Sequence, residues 1–462
     1  MKPKMKSETD LIRNNAEIMD NISPTFCLAK WHHVTIYLHT GQTHSCYHPA
    51  PHNIPLEEIL TNPSALHNTL HKKKERAKML IGERCVGCKY CWNVEDMKDN
   101  HISDRMIRNQ SIHTPERIEE ILNNPWDFNV NPEYVEIAFS NECNFKCGYC
   151  HPMASSAYHA EIKKFGKVPG VNNHALDIDW FKPMAEDENP YIKAWWEWWP
   201  ELSKTLNILR ITGGEPLMHK STWRIFDELK ENPCPHIELN LNSNLGLSPR
   251  IINKFASNVN ELLEGNKIKK FKVYTSMDTF DERAEYLRTG LDINLWESNM
   301  KNFLNTTKSD LTVMCTFNIL SVTSFNLFLQ KILDWRKEFH NPSRRRIRFD
   351  TPYLKEPLQY DMHILPKDEF LPYMDNILKF INDNRDDADT TKFSDLEYER
   401  FRRVRDYFTN VTYDNTKITE GRKDFYNWFT EYDRRRNVNF LKTFPEMENF
   451  YNLCKLEAGN AS

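Results

Sequence analysis

The hydrophobic pattern changes character near residue 131. Before it, apolar runs are short and broken, as in Val34-Thr35-Ile36-Tyr37-Leu38, whose alternation predicts a strand. A helix is expected around Pro63 to Ile81, where LHKKKERAKML carries a strongly basic face, and the plain expectation for such a charge run is a solvated face. Beyond residue 131, apolar strands alternate with longer amphipathic stretches. The expected strands are Tyr134–Ser140, Ile208–Thr212, Ile237–Asn242, Lys270–Ser276, Leu311–Phe317 and Arg346–Asp350. Between them, Ser221–Glu231, Ile251–Leu263 and Phe325–Phe339 place apolar residues three and four apart, the spacing of an amphipathic helix. Strand, helix, strand repeated this way implies parallel pairing, because each crossover needs about a dozen residues. The pattern suits an α/β fold, an open, partial (β/α)6 barrel of TIM type, better than a doubly wound sheet. Either fold places its site at the C-terminal ends of the strands. After about residue 375 the chain turns highly charged and helical. There Phe425–Arg436 shows aromatics on one face and charge on the other, as expected of a helix packed on the barrel. Three segments result: a Cys-rich module over 1–130, a barrel over 131–375 and a helical extension over 376–462.

Composition narrows the function classes. A chain of 462 residues is too long for one ordinary core. Lys plus Arg total 61 against 65 Asp plus Glu, a net charge of −4 that gives no pull toward nucleic acid or an acidic membrane. The start, MKPKMKSETDLIRNN, never reaches the apolar run of a secretory signal, and nothing approaches the ~18 apolar residues of a membrane span. A cytoplasmic, reducing location is therefore expected. Under those conditions the eleven cysteines read as metal ligands or core thiols rather than disulfides. Cys234, Cys315 and Cys454 stand alone and are expected in the core. Cys315, near the end of the fifth expected strand, is the first candidate for a radical-quenching thiol.

Directly after the first barrel strand comes Cys143-Asn-Phe-Lys-Cys147-Gly-Tyr-Cys150. Cubane iron–sulfur clusters normally take four cysteines, so three on one short loop leave one iron open to chelate a small molecule. Structural zinc would need a fourth ligand, and His151, adjacent to Cys150, has poor reach back to the same ion. The next strand ends in Thr212-Gly213-Gly214-Glu215-Pro216, where two glycines allow close backbone approach. Cys-x3-Cys-x2-Cys with Tyr149 before its last cysteine, followed by Gly-Gly-Glu-Pro, resembles the radical S-adenosylmethionine (SAM) superfamily over about residues 131 to 375. The resemblance implies a 4Fe–4S cluster on Cys143, Cys147 and Cys150. It also implies a SAM site drawing on Tyr149, Gly213, Gly214, Glu215, Asn242, Ser276, Asp278 and Arg288. The glycine motif would meet the amino group of SAM. The serine and aspartate would lie near the ribose, and Arg288 would meet the carboxylate, which an arginine fork suits.

Cys27 and Cys46 bracket an expected hairpin, and Cys85-Val-Gly-Cys88-Lys-Tyr-Cys91 lies downstream. Cys-x13-Gly-x4-Cys followed by Cys-x2-Cys resembles the auxiliary-cluster module called SPASM or twitch, here N-terminal to the barrel rather than after it. That resemblance implies a second 4Fe–4S cluster on Cys27, Cys46, Cys88 and Cys91, with Cys85 a spare or alternative; a structural zinc knot on the same four is the competing reading. Trp195, Trp196, Trp198 and Trp199, in the long 151–205 insertion, read as packing side chains, with an aromatic lid as the alternative. Asp350, ending the sixth expected strand, is a site-facing position by topology, with a local cap or turn as the alternative.

The function implied is an enzyme that cleaves SAM reductively to a 5′-deoxyadenosyl radical and abstracts hydrogen from a peptide or small-molecule substrate. An electron donor such as a flavodoxin or ferredoxin is its expected partner. The alternative is a non-catalytic zinc- or iron–sulfur-containing binding protein on a similar scaffold.

Overall fold

A computed structural model describes residues 8–96, 102–112, 114–171, 178, 184 and 186–459. The start of the chain, residues 1–7, and part of the 151–205 insertion lie outside the described residues. Among the described residues nine strands are formed: β1 (His33–Tyr37), β2 (Gln42–His44), β3 (His52–Asn53), β4 (Tyr134–Ala138), β5 (Ile208–Thr212), β6 (Cys234–Asn242), β7 (Ile268–Ser276), β8 (Asp310–Met314) and β9 (Ile347–Asp350). The architecture is α/β with a parallel-rich sheet, a partial barrel of the expected kind. The chain divides into two compact units. The first comprises residues 1–140, 183–213 and 232–239, and the second residues 141–182, 214–231 and 240–462.

In the first unit the sheet order is β3-β2-β1-β4-β5-β6. The expected hairpin forms, with β1 antiparallel to β2 and Thr35 opposite His44. The same strand also lies parallel to β4, His33 beside Tyr134 and Tyr37 beside Ala138, so the parallel set begins one strand earlier than the alternation predicts. Strand β4 continues parallel to β5. A separate core of Met19, Phe26, Leu28, Trp31, Met79, Trp92, Ile121 and Val130 holds the cysteine-rich segments together. Trp195, Trp198 and Trp199 are buried on the helix Pro190–Leu202, as expected of packing residues, and Trp196 stacks on Phe139.

Two expectations are corrected here. The helix over Pro63–Ile81 is two elements, a 3-10 turn at Pro63–Leu66 and an α-helix at Leu70–Leu80 that starts on the Thr69 cap. Its basic run is not all solvated either, because Lys72 and Arg76, four apart and hence on one face, point inward. Arg76 donates to the Lys30 carbonyl at 3.0 Å and to Asn68 Oδ1 at 2.9 Å, and Lys72 donates to Thr43 Oγ1 at 3.2 Å. Buried polar side chains persist where such acceptors replace water.

In the second unit β7, β8 and β9 run parallel, Tyr274 beside Thr312 and Thr312 beside Arg348. One face is apolar: Phe271, Val273, Leu311, Val313, Ile347 and Phe349 are buried. Helices Pro249–Glu264 and Phe325–Glu338 cover it, the first burying Ile252, Phe255, Val259 and Leu262 at helical spacing. The opposite face carries Lys272, Tyr274, Thr312, Arg348 and Asp350, which line an open cavity together with Arg344 and Arg400. Asp350 is thus cavity-facing, paired with Arg400 at 3.2 Å. The long C-terminal helix Asn415–Arg436 buries Phe425, Trp428, Phe429 and Tyr432, the aromatic face expected from its sequence.

Candidate functional site

The loop after β4 holds Cys143, Cys147 and Cys150 through its own backbone. Cys150 N–H donates to the Cys147 carbonyl at 3.0 Å, Lys146 N–H to Thr289 O at 2.9 Å and Gly148 N–H to Leu287 O at 2.9 Å. Ser155 and Ser156 fasten the other side, through Phe145 O at 2.5 Å and the Cys143 N–H at 3.1 Å. The sulfurs are met by N–H donors, from Phe145 N to Cys143 Sγ at 3.4 Å, Asn244 Nδ2 to Cys143 Sγ at 3.9 Å and Arg288 Nη1 to Cys147 Sγ at 3.7 Å. Burial pushes the Cys143 thiol up to about 12 and raises Cys147 and Cys150 too. Bare thiolates are disfavoured there, and a cation bound to them is what would keep them deprotonated. His151 does not complete a fourth position, because its Nδ1 accepts from the Met153 N–H at 3.1 Å and caps its own turn.

The glycines of the next motif work against the cysteine loop. Gly213 sits at φ +119°, and a Cβ there would lie 2.6 Å from the Ser140 carbonyl oxygen. A Cβ on Gly214 would collide with the backbone of Asn141 and Glu142, and the Glu215 N–H donates to Glu142 O at 2.6 Å. Only glycine permits that approach. The Glu215 carboxylate is fully enclosed, accepting from Asn244 N at 2.6 Å, Ser243 Oγ at 2.9 Å and Leu217 N at 3.1 Å. It therefore ties this turn to the turn after β6. Burial nevertheless pushes its carboxyl up to about 7.

Tyr149, Asp278 and Arg288 form one buried network. Tyr149 Oη donates to Asp278 Oδ2 at 2.7 Å, and Arg288 Nη2 reaches Asp278 Oδ1 at 3.0 Å and also donates to Tyr149 Oη. Arg288 Nε lies 2.9 Å from Asp278 Oδ2 with its N–H poorly aligned, so that contact is electrostatic rather than a hydrogen bond. Thr316 N–H adds a bond to Asp278 at 2.9 Å. Asn242 and Ser276 stand half-buried at the ends of β6 and β7. Cys315, just past β8, is fully buried with its thiol toward Val313 O.

Sequence reasoning missed several contacts that hold the loop. Asn244 bonds Asn144 Oδ1 at 2.8 Å. Tyr360 and Tyr432 crowd Gly148, where no side chain would fit. Arg436 donates to Lys146 O at 2.7 Å. The polar turn at 242–244 was a visible signal for the first; the others come from positions more than 200 residues away with no local signature.

The first unit has its own cysteine site. Cys27, Cys46, Cys88 and Cys91 line one cavity, together with Lys30, His48, Trp92, Asp104, Arg105 and Arg108. Cys85 lies outside it and points its thiol at Glu75 O, 3.3 Å away. Cys88 is held below the usual thiol range by a hydrogen bond from Cys85, with Lys30 acting in the same direction. Among the described residues, no three His, Cys, Asp or Glu side chains are gathered closely enough to hold a single metal ion. No described helix is long and apolar enough to cross a membrane.

A three-thiol loop at the end of a strand, braced by a glycine turn and a buried arginine, is the arrangement that the sequence resemblance implies for a cofactor site. Comparison with known proteins agrees. The chain is similar to a GTP 3′,8-cyclase of Sulfurimonas denitrificans, 24% identical over 262 residues, which cover 56% of this chain and 68% of that protein. A GTP 3′,8-cyclase of Desulforamulus reducens is 24% identical over 174 residues, 37% of this chain and 46% of that protein. Among solved structures, Streptococcus suis SuiB bound to S-adenosylmethionine matches 86% of this chain and 74% of its own, at 13% identity and a TM-score of 0.36. Native anSMEcpe with bound AdoMet matches 54% and 60%, at 18% identity and a TM-score of 0.33. Both likenesses are too loose to carry an argument. No protein-family profile matches the chain. The named relatives support a radical SAM superfamily enzyme.

That likeness implies SAM and a 4Fe–4S cluster, and the residues present fit both. The loop offers three thiols and no fourth ligand from His151, its sulfurs receive N–H donors, and Arg288 brings a buried guanidinium to the same place.

Proposed function

We propose that this protein cleaves SAM reductively at a cluster held by Cys143, Cys147 and Cys150 and abstracts hydrogen from a peptide or small-molecule substrate, with a second, auxiliary 4Fe–4S cluster on Cys27, Cys46, Cys88 and Cys91. The observation that carries the reading is the three-thiol loop packed against the Gly213-Gly214-Glu215 turn, with Arg288 donating to Cys147. When bound at Cys143, Cys147 and Cys150, a 4Fe–4S cluster would supply the one-electron reductive cleavage of SAM.

The protein's own part is to bind, orient and exclude water. Asp278 and Tyr149 fix the plane of the Arg288 guanidinium, and a fork so fixed can meet a carboxylate without first being ordered. Glu215 holds the turn after β6 against the cysteine loop, so Asn242 and the backbone at 243–244 keep one position. The curated relatives are named for cyclising GTP, which makes GTP one substrate to try here. The cavity lined by Cys27, Cys46, Cys88 and Cys91 supports the auxiliary cluster, whose role would be electron relay or bracing of the fold. A flavodoxin or ferredoxin is the proposed reductant.

The test is anaerobic. Reconstituted protein is mixed with SAM and a strong reductant, with and without GTP, and 5′-deoxyadenosine is quantified. Formation by the parent and none by Cys143→Ala/Cys147→Ala/Cys150→Ala is expected. An iron-loaded parent that forms none under any condition would overturn the reading. Metal analysis should give about eight irons per chain and no zinc if both sites hold cubanes.

A further inference from the structure

We propose that Arg436 is a positioning residue for the cysteine loop, and that it supplies the buried positive charge that raises the reduction potential of the cluster held there. The inference rests on the reading of Cys143, Cys147 and Cys150 as iron–sulfur ligands.

Arg436 ends the helix Asn415–Arg436, and its side chain is 1% exposed. Nη1 donates to the carbonyl of Lys146, the residue before Cys147, at 2.7 Å, and to Oγ1 of Thr289, the residue after Arg288, at 3.1 Å. The other edge of the guanidinium faces Glu161, with Nη2 at 3.0 Å from Oε1 and Nε at 3.2 Å from Oε2. The ring of Tyr432 lies 3.9 Å below the plane. One side chain thus joins the cysteine loop, the Arg288 segment and the helix Ser156–Phe165 that follows the loop.

The charges around this joint do not cancel. Lys146 Nζ shares Glu161 at 2.5 Å, so two cations stand against one buried carboxylate. Arg288 and Asp278 form a separate pair that balances. Arg436 and Glu161 are the buried pair, with the guanidinium on the loop side where solvent screens it weakly, and the surplus positive charge is on Lys146, whose side chain is 28% exposed. Three thiolates around a 4Fe–4S core become more anionic when the cluster takes an electron. A fixed buried cation favours that reduced state, and cluster potentials respond to net charge, hydrogen bonding and exposure. A purely structural clamp would hold the loop without this sign-dependent effect.

The experiment is a potentiometric titration of the reconstituted full chain, following the reduced-cluster resonance that changes on adding SAM, with iron content measured in each sample. Arg436→Met should lower the reduced-to-oxidised ratio at a fixed potential by about tenfold, ~59 mV for a one-electron couple. Glu161→Gln should raise the ratio, and Arg436→Lys, which keeps the charge, should stay near the parent. A parental ratio in an iron-loaded Arg436→Met, or shifts of the same sign in Arg436→Met and Glu161→Gln, would overturn the proposal. If Arg436→Met takes up no iron, Glu161→Gln decides, and an unchanged ratio there overturns it. A parent protein with no SAM-responsive cluster would instead refute the functional reading beneath it.

Discussion

The two cysteine sites are built on opposite plans. In the second unit three thiols come from eight consecutive residues, and their surroundings supply donors rather than a fourth ligand. In the first unit four thiols come from separate segments, Cys27, Cys46 and the 88–91 pair, and meet around one cavity inside the core of Met19, Phe26, Trp31 and Met79. A contiguous loop can keep a coordination position open because the fold does not depend on closing it. A site gathered from distant segments closes on its metal and makes binding part of folding.

The largest effect expected is therefore on the gathered site. Cys27→Ala/Cys46→Ala/Cys88→Ala/Cys91→Ala should halve the iron content and lower the unfolding midpoint sharply. The same treatment of Cys143, Cys147 and Cys150 should halve iron with a much smaller midpoint change. Equal midpoint losses, read by circular dichroism, would break the contrast. Next comes Arg288→Met, which leaves Asp278 buried without its partner and should cost about 3–5 kcal/mol in denaturant unfolding.

The units should also respond oppositely to pH. Burial, with Arg117 and Arg76 nearby, lowers His32 from 6.5 to about 3, so the unfolded chain binds a proton that the folded one refuses. Stability from this group is present above pH 6.5 and is lost as pH falls toward 3. Burial of His67 acts in the same direction. Glu215 is raised from 4.5 to about 7, so its contribution is fully present below pH 4.5 and is lost as pH rises through 7. Glu215→Gln should flatten the second limb and leave the first, as followed by hydrogen exchange of each unit. Loss of both limbs in that variant would count against the assignment. The smallest effect belongs to Cys85→Ala, which should leave iron content unchanged and cost roughly 1 kcal/mol by removing its contacts with Glu75 and Cys88. A drop in iron would return Cys85 to the ligand set.

Much of this was legible because it is local. Alternation along β7 and β8 and the three-and-four spacing of helix Pro249–Glu264 follow from which side chains meet water, and that is written residue by residue. The three-thiol loop and the glycine pair are equally local, since a short loop and a close backbone approach need particular residues at particular neighbours. What failed was the reading of charge. Lys72 and Arg76 look like their exposed neighbours Lys74 and His71, and only acceptors from residues far along the chain make them interior.

The sequence by itself determined the strand and helix order, the cysteine loop and the glycine turn, because each depends on contacts within a few residues. Tertiary structure alone decided the parallel partner of β1, the exclusion of Cys85 from the four-thiol cavity, and the arrival of Arg436 at the Lys146 carbonyl across 290 residues. Those depend on which distant groups can satisfy a buried donor or charge, and no periodicity in a chain records that.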